Sequence, residues 1–261
     1  MAYTFISGAT GGIGKAFVEA TAKKGYDLFL TGRSEQKLAK LKSEISTKYN
    51  VNVVTFVCDL TSEQDRAKMT AFMDSEVIKF DRIINVAGVD TQMAFMEYSL
   101  EKVLFQIRVN VEATISLTHA LLQRRQEHTE LITISSMSGA SPMPYFALYS
   151  ATKALLINFF TSLHYELKKQ DVFVTTVMPG GVPTRPDIIE DIKGQGLWGK
   201  LSSKPASFVA EKSLKKVKKN KIKYIPGAFN RLLNFLMKLA PKRIVLAYIA
   251  RRWKKIRKDA F

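Results

Sequence analysis

Cysteine is almost missing from this chain. Its one thiol, Cys58, excludes an internal disulfide framework and fits a reducing, cytoplasmic setting. Histidine is scarce too: three scattered residues form no cluster at zinc-type spacing, so no bound metal is expected. No basic stretch followed by a long apolar core opens the sequence, which argues against a cleavable leader. No apolar run reaches the ~20 residues that would span a bilayer. Acidic residues also run out toward the end. Between Lys212 and Lys258 there are 17 basic residues and no Asp or Glu, whereas the preceding 211 residues hold 23 basic and 22 acidic ones. The formal excess of +17 therefore sits in the last fifth of the chain.

What is present reads as one large globular unit. At 46% hydrophobic and 24% charged the chain is far from disordered composition. Apolar β-rich runs occur at Tyr3–Ser7, Asp27–Thr31, Val51–Val57, Arg82–Val86, Glu130–Ser135, Val172–Met178 and Ile222–Ile225. Stretches of helical period separate them, near Gly14–Lys24, Ser34–Lys48, Ser62–Ile78, Leu100–Gln126, Ala147–Lys169 and Pro205–Lys219. Strict alternation of this kind predicts a doubly wound α/β fold, a parallel sheet with helices on both faces. Pro183–Lys204 has the least regular pattern and reads as a substrate loop.

The first strand runs into Ser7-Gly8-Ala9-Thr10-Gly11-Gly12-Ile13-Gly14, then a helix begins. Gly8 permits the tight turn. Gly12 and Gly14 let backbone approach a pyrophosphate at a helix N-terminus. This placement between strand and helix makes a dinucleotide site the better reading than a plain turn. The second strand ends Thr31-Gly32-Arg33-Ser34, without the acid that would bind ribose hydroxyls. Arg33, helped by Lys15, would instead pair with a 2′-phosphate, so NADP(H) is expected in preference to NAD(H). Asp59, with Leu60 beside it, follows strand three where an adenine amino group would be accepted. Asn85-Val86-Ala87-Gly88 closes strand four where backbone must pass near the cofactor.

Carbonyl reduction needs a proton donor and groups that polarise the oxygen. Tyr149 and Lys153 lie four apart on one helical face, an arrangement in which a cation lowers the tyrosine pKa. Tyr98 with Lys102 and Tyr165 with Lys169 share that spacing and read as ordinary helix neighbours. Context sets Tyr149 apart: Ser136 follows a strand end 13 residues earlier, and open α/β sheets bind ligands at carboxyl strand ends.

Together these residues resemble the short-chain dehydrogenase/reductase family, over roughly Tyr3 to Ile225. The matching motifs are Gly8…Gly12-Ile13-Gly14, Asp59, Asn85-x-Ala87-Gly88, Asn110, Ser136, Tyr149-x-x-x-Lys153 and Pro179-Gly180-x-Val182-x-Thr184. The resemblance implies a Rossmann-type seven-stranded parallel sheet in the order 3-2-1-4-5-6-7. It makes Tyr149 the general acid/base and Ser136 the group that orients the carbonyl. Lys153 would bind the nicotinamide ribose and lower the Tyr149 pKa, while Asn110 would hold a water of a proton relay. Val182 and Thr184 would contact the carboxamide. Members commonly form homodimers or homotetramers, here through the helices near Leu100–Gln126 and Ala147–Lys169. Ser7, Val86 and Pro183 depart from the usual pattern without removing a catalytic group. The catalytic, dinucleotide-binding domain is thus expected at 1–227, with 228–261 as a C-terminal extension.

In that extension Phe229, Leu232, Leu233, Leu236, Met237 and Ala240 follow helical spacing until Pro241. Ile244–Ala250 is apolar and leads into Arg251-Arg252-Trp253-Lys254-Lys255-Ile256-Arg257-Lys258. A basic amphipathic helix suits an anionic membrane surface, making the protein cytoplasmic and peripherally bound. Packing on the body or on a dimer partner is the plainer alternative. Nucleic acid fits less well, because apolar stripes replace stacking aromatics. The function expected is NADPH-dependent interconversion of a ketone and a secondary alcohol. Met137, Met143, Tyr145, Phe146, Met178, Leu197 and Trp198 favour an apolar acyl-chain or steroid-like substrate, unless they are core residues. A catalytically quiet dinucleotide-binding regulator or scaffold is the rival, and the intact Asn110, Ser136, Tyr149 and Lys153 set argues against it.

Overall fold

The computed structural model describes residues 2–254, so Lys255–Lys258 of the basic run lie outside the described residues. The strands are β1 (Ala2–Ile6), β2 (Leu28–Gly32), β3 (Val53–Val57), β4 (Lys79–Asn85), β5 (Arg125–Ile134), β6 (Val172–Val177) and β7 (Lys223–Tyr224). They form one parallel sheet in the order β3-β2-β1-β4-β5-β6-β7, as the resemblance implies. Because side chains alternate across a strand, neighbours go to opposite faces. Ile6 and Leu30 join one buried cluster with Phe17, Val209 and Leu214. Phe5 and Phe29 join the other with Phe80, Leu117 and Phe160. Phe5, Phe29 and Phe80 meet with centroids 5.8–5.9 Å apart, which locks the three central strands on that face.

The helices between strands are α1 (Gly12–Ala22), α2 (Glu35–Tyr49), α3 (Glu63–Ser75), α4 (Leu100–Ile107), α5 (Ala113–Leu122), α6 (Ala147–Leu167), α7 (Pro186–Gly194), α8 (Gly196–Ser202) and α9 (Ala206–Val217). Serines start three of them, since Ser34, Ser62 and Ser99 each accept a first-turn N–H. Past β7 come α10 (Ala228–Leu239) and α11 (Lys242–Trp253), broken at Pro241 as the sequence pattern requires.

Three segments differ from the sequence reading. The helix expected over Leu100–Gln126 is interrupted by a π turn at Arg108–Glu112 and stops at Leu122. Strand β5 then begins at Arg125, not Glu130, because Arg125 pairs with Phe80 and Thr129 with Val172 across the sheet. Such partners are remote in sequence, and the polar run 125–129 carries no strand period of its own. The irregular stretch Pro183–Lys204 holds α7, with Pro186 at its start, and α8, entered through Gly196 at φ +58°.

Candidate active site

The cofactor end is built where β1 turns into α1. Gly8 takes φ +61°, and a Cβ on Gly14 would run into the Gly8 carbonyl oxygen, so the turn closes only on glycine. Gly11 caps α1 and offers no side chain to its first-turn N–H groups. Those groups have no partner within the helix and, with the helix dipole, suit a pyrophosphate. Thr184 lies directly against Gly12, which brings the segment after β6 to the glycine turn. Thr10 lies against Gly32 at the end of β2, and Ile13 is half-buried on the core. Arg33 stands exposed one residue beyond β2. These features fit a dinucleotide.

Other expected cofactor residues also make contacts within the protein. Asp59 Oδ1 accepts the N–H (2.9 Å) and hydroxyl (2.8 Å) of Thr61, which shapes the entry to α3. The Leu60 side chain is buried and its carbonyl accepts from Arg66. Asn85 donates to Thr118 (2.8 Å) and Thr133 (3.3 Å), so its side chain ties β4 to α5 and β5 and lends the site only its main chain. Ser7 Oγ accepts from the N–H groups of Val86 and Ala87 at 3.0 and 3.2 Å, fixing the Val86–Gly88 backbone. Val182 is buried in the core, and Pro179 accepts the Met137 N–H at 2.9 Å. Gly180 lets Ser202 and Asn230 approach; a Cβ there would lie 2.5 Å from the Ser202 carbonyl oxygen.

At the carboxyl edge of the central strands, the four expected catalytic residues converge. Lys153 is buried and donates to the Ile134 carbonyl at 3.0 Å. Its ammonium lies 5.7 Å from the centre of the Tyr149 ring. Asn110, on the π turn, accepts from Val89 N–H at 2.8 Å and donates to Val89 O (2.9 Å) and Thr152 Oγ1 (3.1 Å). A Cβ on Gly88 would lie 3.2 Å from Asn110 Oδ1 and 3.3 Å from Lys153 Nζ, so both groups meet over that residue. Ser136 accepts the Ser138 N–H at 3.0 Å and stands close enough to Tyr149 to draw its pKa down.

Desolvation dominates the electrostatics of the pair. Burial, aided by the Asp90 carboxylate, holds the Tyr149 phenol above its ordinary range, although Ser136 and Arg185 pull the other way. Burial likewise pushes Lys153 down to about 8, with Asp90 opposing. The same desolvation disfavours both charged forms. Tyr149 is therefore a protonated acid at neutral pH. Cys58 is no competing nucleophile, since burial pushes its thiol up to about 12.

Sequence reasoning missed several parts of the site. Asp90 faces the catalytic pair and holds Arg185, from the entry to α7, at 3.2 Å. Gly139 lets the Ser136 loop lie on α6 at Lys153, where a Cβ would come 2.6 Å from backbone. An apolar cleft of about 280 Å³ adjoins the start of α6, lined in part by Met93, Phe95, Tyr98, Tyr145, Leu148 and Ala250. Tyr98, read as an ordinary helix neighbour, thus borders the cleft, its hydroxyl bonded to Thr91 O at 2.7 Å. Helix α11 covers this region: Trp253 stacks on Phe146, which stacks on Tyr149 with centroids 4.5 Å apart. Arg252 reaches Gln195 and lies over Trp198, and Trp198 packs edge-on to Phe229. The only sequence signal for this was the apolar segment Ile244–Ala250. Of the residues read as apolar lining, Met178 is core and Leu197 is exposed. A larger cavity, about 410 Å³, lies at the opposite end of the strands around the buried Arg82–Glu130 pair, away from Tyr149.

This arrangement defines a class: a Rossmann-type oxidoreductase in which a helical tyrosine and lysine face the dinucleotide site across the carboxyl edge of the sheet. Within that class the chain belongs to the short-chain dehydrogenase/reductase family, whose short chain dehydrogenase pattern matches residues 2–189. The family binds NAD(P). Among relatives, the very-long-chain 3-oxoacyl-CoA reductase of Bos taurus is 33% identical over 215 residues, covering 79% of this chain and 66% of that protein. The chain thus matches a little under two thirds of that relative's length. In fold, a 7β-hydroxysteroid dehydrogenase superposes with TM-score 0.85 at 23% identity, covering 95% of this chain and 96% of the other. L-sorbose reductase from Gluconobacter frateurii, solved with NADPH and L-sorbose, gives 0.75 at 23% identity, with 87% and 95% covered.

Proposed function

We propose that this protein reduces a ketone to a secondary alcohol with NADPH, on an apolar substrate that carries a long acyl chain or a steroid-like ring. The observation that carries the reading is the half-buried phenol of Tyr149, kept protonated by desolvation, with Lys153 beside its ring and Ser136 close enough to act on its pKa. NADPH, when bound, supplies a hydride to the carbonyl carbon. Tyr149 Oη then gives its proton to the carbonyl oxygen, and Ser136 Oγ donates a hydrogen bond to that oxygen as negative charge develops. Lys153, beside Asn110, returns a proton to Tyr149.

Preference for NADPH rests on Arg33 and on the lack of an acid after β2. The apolar substrate rests on the cleft beside Leu148 and on the long-chain reductase relatives. Assembly into a homodimer or homotetramer belongs to the same reading, with Leu104 and Ile107 on α4 and Leu155 on α6 exposed for it. So does peripheral attachment of the basic tail to an anionic membrane. The test is NADPH consumption over a panel of straight-chain and ring ketones. Turnover that improves with apolar size supports the proposal. Tight NADPH binding with no ketone reduced would return the weight to a regulator.

A further inference from the structure

Helix α10 half-buries Phe229, Leu233 and Met237 and leaves a second apolar stripe outside. Its only fully buried residue is polar: Asn230, which donates to Ser202 O and Pro226 O, both at 2.8 Å. The outer stripe, Leu232, Phe235, Leu236 and Leu239, is 51–68% exposed. At 100° per residue these four cluster roughly opposite Asn230, so the stripe faces away from the body. On α11, Ile244 (65% exposed) and Tyr248 (54%) are exposed as well, while Ile249 is buried. Exposed apolar residues that are contiguous and rimmed by polar ones mark an interaction site.

The rim decides the partner. Arg231, Lys238, Lys242, Arg243 and Arg251 are exposed on the same two helices, and neither helix contains an acidic residue. A second copy meeting this face would set like charges against each other, whereas anionic headgroups complement them. Among the described residues no helix is long and apolar enough to cross a membrane, so the contact is with a surface.

We infer that the outward faces of α10 and α11 seat the protein on an anionic lipid bilayer. Helix α11 also lends Ala250 to the apolar cleft, so docking sets that cleft about one helix diameter, ~10 Å, from the lipid. A substrate dissolved in the bilayer then has a short path to Tyr149. The docking deepens the proposed membrane attachment of the tail, and this last step rests on the proposed reductase activity as well.

The test uses the full chain with phosphatidylcholine vesicles, with and without phosphatidylserine. Wild type is expected to sediment with the anionic vesicles only, and to be released by added salt. Leu236→Glu should weaken binding on the order of tenfold or more. Val77→Glu, at an exposed apolar residue elsewhere, should not. Turnover of a small water-soluble ketone should be the same in Leu236→Glu as in wild type. If that ketone is not reduced at all while vesicle binding holds, the reductase reading fails and the docking stands. Equal vesicle binding by wild type and Leu236→Glu, or none by either, would overturn the docking. So would a dimer in vesicle-free solution that Leu236→Glu dissociates.

Discussion

Replacing Asn110 with alanine should damage stability and catalysis together, and the structure sets the size of the effect. The side chain is fully buried and makes three hydrogen bonds, two to the Val89 backbone and one to Thr152. Alanine removes all three and strands the Val89 N–H and carbonyl in a part-buried position. At ~0.5–1.5 kcal/mol net per bond, the loss comes to roughly 2–4 kcal/mol. Thr152→Val takes away one of the three and should cost about 1 kcal/mol. Urea unfolding of both variants beside wild type, at unchanged slope, measures this. Catalysis should fall as well, because Asn110 and Lys153 meet over Gly88 and the Val89 clamp keeps that backbone in place. The reasoning is refuted if Asn110→Ala unfolds within about 0.5 kcal/mol of wild type, as an unremarkable surface change would.

Three further outcomes follow from the same geometry. Arg33→Ala should raise the KM for NADPH about ten- to a hundredfold, the worth of a charge-assisted hydrogen bond, and leave NADH unchanged. Steady-state kinetics with both cofactors decides it. Glu130→Leu strands the Arg82 charge of a pair that is 4–5% exposed at 2.6 Å, and should cost ~3–5 kcal/mol by urea unfolding. Adding Arg82→Met should recover most of that. Lys153 is protonated below its pKa of about 8, so reduction should decline as pH rises through about 8. Asp90 raises that pKa, so Asp90→Asn should move the decline to lower pH in a pH–rate profile.

The strands and the Tyr149–Lys153 pair were legible in the sequence for local reasons. A central strand such as Leu28–Gly32 is buried on both faces and must read as a nearly unbroken apolar run. Tyr149 and Lys153 sit on one helix, so their spacing alone places them together. What was not legible depends on contacts between distant segments. The π turn that aims Asn110 carries no sequence period, and the start of β5 is set by pairing with β4 and β6. Arg185 reaches Asp90 across 95 residues. The direction of the Tyr149 shift depends on burial, which a four-residue spacing cannot report. Apolar residues in the tail were read correctly as helical. Which face turned inward was hidden, because α10 buries Asn230 and leaves Leu232, Leu236 and Leu239 outside.

The central claim is that Tyr149 donates the proton in a hydride transfer from NADPH. Single-turnover oxidation of bound NADPH by a reducible ketone, in wild type and Tyr149→Phe, tests it most directly. Loss of one positioned general acid should slow the step by about 10²–10⁴-fold while the affinity for NADPH is retained. A Tyr149→Phe enzyme that oxidises NADPH at the wild-type rate would contradict the account.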